Sequence, residues 1–169
     1  MPRPLDLPFD PIDRAGELWE THFGPADAMR VATSIMRAQQ LLLGRYDAIL
    51  KPHGLTFARF EALVLLHFSR SGALPLSLIG QRLMVHPTSV TNTVDRLCAQ
   101  GLVQRRPNPR DGRGVLAAIT EEGRRVVVAA TEDLMRDGFG LADSYDEEQL
   151  QELFALLRHL RVSAGDFTS

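Results

Sequence analysis

The chain has 169 residues, 44% hydrophobic and 24% charged, which suits one compact domain or two small ones and excludes a disordered tail or a fibre. Its one cysteine, Cys98, excludes an internal disulfide or a zinc ribbon, and no apolar run reaches the roughly 18 residues of a membrane span. The net charge of −2 hides a local excess: residues 77–119 hold Arg82, Arg96, Arg105, Arg106, Arg110 and Arg113 against Asp95 and Asp111, and the acidic groups concentrate beyond residue 120.

The first 14 residues carry four prolines and read as an arm without regular structure; they also lack the apolar core of a signal peptide, so a cytoplasmic location is expected. A short helix over Ala15–Phe23 is broken by Gly24-Pro25. A long helix then runs from Ala26 to about Lys51, with Ala28, Val31, Ile35, Ala38, Leu42, Tyr46 and Ile49 in one apolar stripe. Thr56 to Ser69 reads as a buried helix that includes His67. Leu76–Met84 and Pro87–Gly101 are two helices joined by the tight Val85-His86-Pro87 turn, a helix-turn-helix pattern. Two strand-like runs, Leu102–Arg106 and Val115–Ile119, flank PNPRDGRG and predict a hairpin with an arginine-bearing tip. Thr120 caps a further helix through about Leu141, and Asp146 with Gln149 forms a capping box before LQELFALLRHL. The fold class is mainly α with a small β-hairpin: a winged helix-turn-helix between N- and C-terminal helices.

The second helix of the pair carries the chemistry. Val90, Val94 and Leu97 lie at i, i+4 and i+7 and anchor it, leaving Thr88, Ser89, Thr91, Asn92 and Arg96 outward. Short polar side chains approach base edges closely, Asn pairs with adenine, and Pro87 opens a helix N-terminus that attracts phosphate. His86, just before it, is a candidate phosphate contact. On the hairpin tip, Arg110 and Arg113 suit a minor groove, and Asp111 can brace Arg113. Cys98, one residue past Leu97, reads as a small packing residue. A redox role would need a depressed thiol pKa, and Asp95 one turn back works against that. The five histidines form no ligand cluster by spacing, so no metal or cofactor is expected, and the absence of a phosphate loop or Gly-x-Ser-x-Gly argues against an enzyme.

The stretch from Leu76 to Gly123 resembles the DNA-binding core of the MarR family of bacterial transcriptional regulators. TSVTNTVDRL followed by GLV, then Asp111-x-Arg113, then Leu116-x-x-Ile119-Thr120-x-x-Gly123 carry the similarity, which extends over about residues 26–162 with the helical flanks. The resemblance implies a homodimer, a double-stranded DNA operator of palindromic type, and often an effector site between dimer helices and DNA-binding lobe. It divides the chain into an arm with a short helix (1–25) and one domain (26–169). Within that domain the winged helix-turn-helix spans 55–120, and dimerisation helices span 26–51 and 121–162. Trp19, Glu61 and Arg105 fall where the urate-responsive branch has a Trp, an Asp and an Arg. By the same analogy a small anionic or aromatic effector would lie near Arg45, Tyr46, His53 and Arg59. A ligand-responsive repressor is therefore expected; the alternative is a winged-helix protein-interaction module without DNA binding.

Overall fold

The computed structural model describes residues 7–109 and 114–167. The chain forms two compact units that divide between Leu134 and Met135.

In the first unit, α1 (Pro11–His22) begins inside the proline-rich stretch read as an unstructured arm. The reason is local: Asp10 accepts the Ile12 N–H through Oδ1 at 2.8 Å, and Pro11 takes the first helical position, where its missing N–H costs nothing. The helix lies on α2 (Asp27–Leu50), with Gly16 buried under the Arg30 guanidinium, which reaches Glu20 at 2.5 Å and Asp13 at 3.9 Å. Of the long apolar stripe expected in α2, Tyr46 is buried within the chain together with its neighbour Leu50, whereas Ala28, Val31 and Ala38 are exposed, Val31 to 60%. A 3-10 turn (Lys51–His53) and Gly54, at φ 69°, end the helix.

The core gathers around α3 (Phe57–Phe68), which buries Phe60, Ala62, Leu63 and Leu66. Its first N–H, from Phe57, is donated to Asp47 Oδ1 of α2 at 2.7 Å. Next come α4 (Leu76–Leu83) and α5 (Pro87–Ala99), then β2 (Val103–Pro107) and β3 (Val115–Ile119), close to their expected bounds. A third strand precedes α4: β1 (Ala73–Pro75) pairs antiparallel with β3, giving the order β1-β3-β2. The expected two-stranded hairpin is thus corrected to a three-stranded sheet. Three residues ending in proline show no alternation of their own, and Ala73 is held by Ala118, far along the chain.

A single knot ties the hairpin to α6 (Glu121–Arg136). Thr120 Oγ1 accepts the Gly123 N–H at 3.0 Å and donates toward the carbonyls of Gly101 and Leu102, while the Thr120 N–H also goes to Leu102 O at 3.0 Å. Gly123 has no side chain because the Leu102 carbonyl occupies the place where one would start. This is the physical content of the Ile119-Thr120-x-x-Gly123 pattern.

The helix expected to reach Leu141 ends at Arg136. Gly138, Phe139 and Gly140 all take positive φ, the left-handed region in which an α-helix cannot continue, so the expected span 121–162 holds two helices with this break between them. The second unit is dominated by α7 (Glu147–Ser163). Its capping box is present: Asp146 Oδ1 accepts the Gln149 N–H at 2.9 Å, and Gln149 Oε1 accepts the Asp146 N–H at 3.0 Å. Phe154, Leu156, Leu157 and Leu160 on this helix are exposed. No helix among the described residues is long and apolar enough to cross a membrane.

Candidate nucleic-acid interface

The α4–α5 turn sets the geometry. Met84, in the left-handed region at φ 52°, closes α4, and the Val85 N–H reaches back to Gly80 O at 3.0 Å. A Cβ at Gly80 would stand 3.0 Å from Val90 Cγ2 and 3.2 Å from Val85 O, so this glycine lets α5 close onto α4. Val90, Val94 and Leu97 are buried as the spacing predicts, which turns Thr88, Ser89, Thr91, Asn92 and Arg96 to the exposed side.

His86 occupies the position before α5 and accepts the Thr88 N–H on Nδ1 at 3.3 Å. That bond places the ring proton on Nε2, the nitrogen suited to donate to a phosphate. Pro87 follows at the first helical position. The Thr91 hydroxyl donates to Pro87 O at 3.1 Å, so toward a ligand it can only accept. The exposed face is therefore polar, short and uncharged at its N-terminal end and cationic at Arg96.

Beside it, β2 exposes Arg105 and Arg106. Arg105 is spent in part on α5: Nη2 meets Asp95 Oδ1 at 2.7 Å. The same guanidinium borders Cys98. Burial, first, and Asp95 hold that thiol above its ordinary pKa, with Arg105 opposing them, so the thiolate is scarce at neutral pH. The Asn108 N–H meets Gly114 O at 3.0 Å at the base of the hairpin tip. Arg110, Asp111 and Arg113, the tip residues singled out in the sequence, lie outside the described residues.

The residues assigned to an effector by resemblance have different surroundings. Trp19 of α1 has its ring 5.0 Å from that of Phe23, the residue that follows the helix. Tyr46 is a core residue with its ring 4.8 Å from Phe57, and Arg45 is half-buried one position before it. His53 Nε2 meets Asp133 Oδ2 at 2.7 Å and joins the end of α2 to α6. Glu61 is half-buried in a small cleft with Ala58, Ile79, Leu83, Val85 and Ser89, where burial raises its carboxyl pKa. Arg59 turns the other way, donating from Nε to Thr56 Oγ1 at 3.2 Å and from Nη1 to Gln100 Oε1 at 3.3 Å. The partnership of Arg59 with α5 escaped the sequence reading, because a separation of 41 positions carries no periodic signal. No group of three His, Cys, Asp or Glu among the described residues could hold a metal ion.

A helix pair with a solvent-facing second helix and an adjoining three-stranded wing defines a winged helix-turn-helix protein. Residues 53–114 match the MarR family model. A helix-turn-helix transcriptional regulator of Bacillus subtilis, YhbI, is 31% identical over 135 residues, covering 80% of each chain. The crystal structure of Sco5413, a MarR family transcriptional regulator from Streptomyces coelicolor, is 65% identical with a TM-score of 0.78, over 84% of this chain and 98% of that one. A mutant MarR from E. coli, solved in complex with operator DNA, shares the fold at 24% identity and a TM-score of 0.73, over 80% of this chain and 96% of that one. The chain belongs to the MarR family: it is a helix-turn-helix transcriptional regulator and not an enzyme.

Proposed function

We propose that this regulator is a ligand-responsive repressor that binds a pseudo-palindromic operator as a homodimer, with α5 in the major groove. The exposed face Thr88-Ser89-Asn92-Arg96, set on a helix whose opposite face is locked into the core, is the observation that carries this reading. The operator complex of the E. coli MarR mutant supports it by kinship of fold. His86, Pro87 and Thr91 frame the same face, and Arg110, Asp111 and Arg113 complete the interface on sequence grounds as a minor-groove wing. Exposed Val31, Met36 and Leu41 on α2, and the exposed apolar residues of α7, support a second copy as partner. The domain division with helices of dimerisation at both ends belongs to this proposal, as does a cytoplasmic location.

For the effector, the Arg105–Asp95 contact supplies a coupling. An anionic aromatic ligand that draws Arg105 to itself would free Asp95 on the recognition helix and so change DNA affinity.

Binding isotherms on an operator selected from genomic fragments and on scrambled DNA test the central claim. Asn92→Ala should cost about 1 to 3 kcal/mol on the operator and much less on the scrambled duplex. Equal losses on both would remove Asn92 from base reading. Absent or salt-insensitive DNA binding by the wild type would favour the protein-interaction module instead.

A further inference from the structure

We propose that Arg59 and Arg96 form a backbone anchor that grips one phosphodiester of the DNA strand running along the flank of α5. The inference rests on the DNA-reading role above and extends the interface to α3, which has no place in the helix-turn-helix pattern.

Thr56, Arg59, Asn92, Thr93 and Arg96 line a single groove between the start of α3 and the outer side of α5. It contains two guanidinium groups and no carboxylate. On the neighbouring elements Asp47 accepts the Phe57 N–H at 2.7 Å, Asp95 pairs with Arg105 at 2.7 Å, and the half-buried Glu61 lines a separate cleft that shares Thr93 with the groove. Among the described residues Arg96 makes no ion pair, and Arg59 touches only neutral oxygens.

Arg59 is also oriented in advance. Two of its five N–H groups go to Thr56 and Gln100, and Gln100 is itself fixed by donating from Nε2 to Gly54 O at 2.8 Å. This chain of bonds runs from the loop after α2 to the end of α5 and leaves three guanidinium donors for a planar or tetrahedral oxyanion. A side chain already held in one orientation loses less entropy on binding than a free one. The groove lies next to the base-reading face because Asn92 belongs to both. An anion there therefore sits on the strand whose bases α5 addresses, which favours a phosphodiester of the same DNA over an unrelated ligand.

The test uses the full chain. Arg59→Met keeps the aliphatic stem and removes the charge, and its affinity is measured on operator and scrambled duplexes over a series of salt concentrations. Both duplexes should weaken alike. The slope of log affinity against log salt should flatten by about 0.9 per protomer engaged, so a fourfold rise in salt costs the wild type about 3.5 times more affinity than the variant for each protomer, or about 12 times for a dimer with both engaged. Arg59→Lys should keep the slope while weakening binding, since it retains charge but loses the fork. A scan of single methylphosphonate substitutions should reveal in the wild type one sensitive position per half-site whose effect shrinks with Arg59→Met, the remainder belonging to Arg96. Gln100→Ala, which loosens a positioning residue, should lower affinity and leave the slope. Unchanged affinity and slope for Arg59→Met, a loss confined to the operator, or a methylphosphonate profile identical to the wild type would each overturn the anchor. If the wild type reads an operator and Asn92→Ala narrows its specificity, such a result sinks the anchor alone; a wild type that binds no DNA sinks both.

Discussion

Replacing Gly123 by alanine isolates the knot that holds the wing to the body of the protein. A Cβ there collides with the Leu102 carbonyl oxygen and stands 3.1 Å from its carbon and 2.9 Å from Ile119 Cγ1. The neighbour is backbone, so relief means moving β2 or the start of α6. Overpacking of this kind costs about 1 to 3 kcal/mol. Displacing Leu102 also weakens its bonds from the Thr120 N–H (3.0 Å) and hydroxyl (3.1 Å), at about 0.5 to 1.5 kcal/mol each. Against this stands about 1 kcal/mol of improved helix propensity. The net expectation is a destabilisation of about 3 kcal/mol, or roughly 6 to 12 °C in midpoint for a chain of this size. Thermal and urea unfolding followed by circular dichroism, at one fixed protein concentration, measure it. Gly16→Ala is the companion: the three atoms nearest its Cβ all belong to the flexible Arg30 guanidinium, which can swing aside at the cost of surface ion pairs that contribute little, so that change should be close to neutral. If Gly123→Ala proves as harmless as Gly16→Ala, the steric reading of the knot is wrong.

The remaining expectations concern assembly, acidity and effector response. Leu156→Glu with Leu160→Glu, one turn apart on the exposed side of α7, should weaken self-association at least about a hundredfold and lower operator affinity with it; sedimentation showing an intact dimer would refute a dimer built on that helix. Glu61 is held above the ordinary carboxylate pKa of 4.5 by burial, so the native state keeps its proton longer than the unfolded chain. Its ionisation therefore lowers stability as pH rises from the unfolded-state pKa to the raised native one, and Glu61→Gln should show a higher urea midpoint than wild type at neutral pH. The difference should vanish in acid below that range, and a difference that persists or reverses there counts against the burial argument. With urate and salicylate titrated against the operator complex, Arg105→Ala should no longer release DNA in response to a ligand that releases the wild type. A response retained in the variant would exclude Arg105 as the ligand's anion partner.

What this sequence determines by itself is what repeats along the chain at the period of its local structure. Val90, Val94 and Leu97 define the buried side of α5, and so its exposed side, because a helix places i, i+4 and i+7 on one face whatever lies beyond it. Pro87 as the first residue of α5 and the Asp146–Gln149 box are likewise short-range bonds and fixed dihedrals, and the helices they begin stand close to where the residues put them. Even the misplaced start of α1 is local in origin, since Asp10 and Pro11 are a cap and a first-turn proline within a run whose other prolines suggest no structure. Tertiary structure alone decided the pairings between distant positions. β1 exists because β3 offers it hydrogen-bonding groups, Glu61 has its raised pKa because α4 and α5 close over it, and His53 finds Asp133 across 80 residues. Arg59 reaches the end of α5 through Gln100. None of these contacts has a period. Each depends on the core having brought two unrelated stretches within bonding distance, and the free energy of that closure comes from the burial of residues such as Leu63, Leu66 and Leu97 rather than from the residues that meet at the surface.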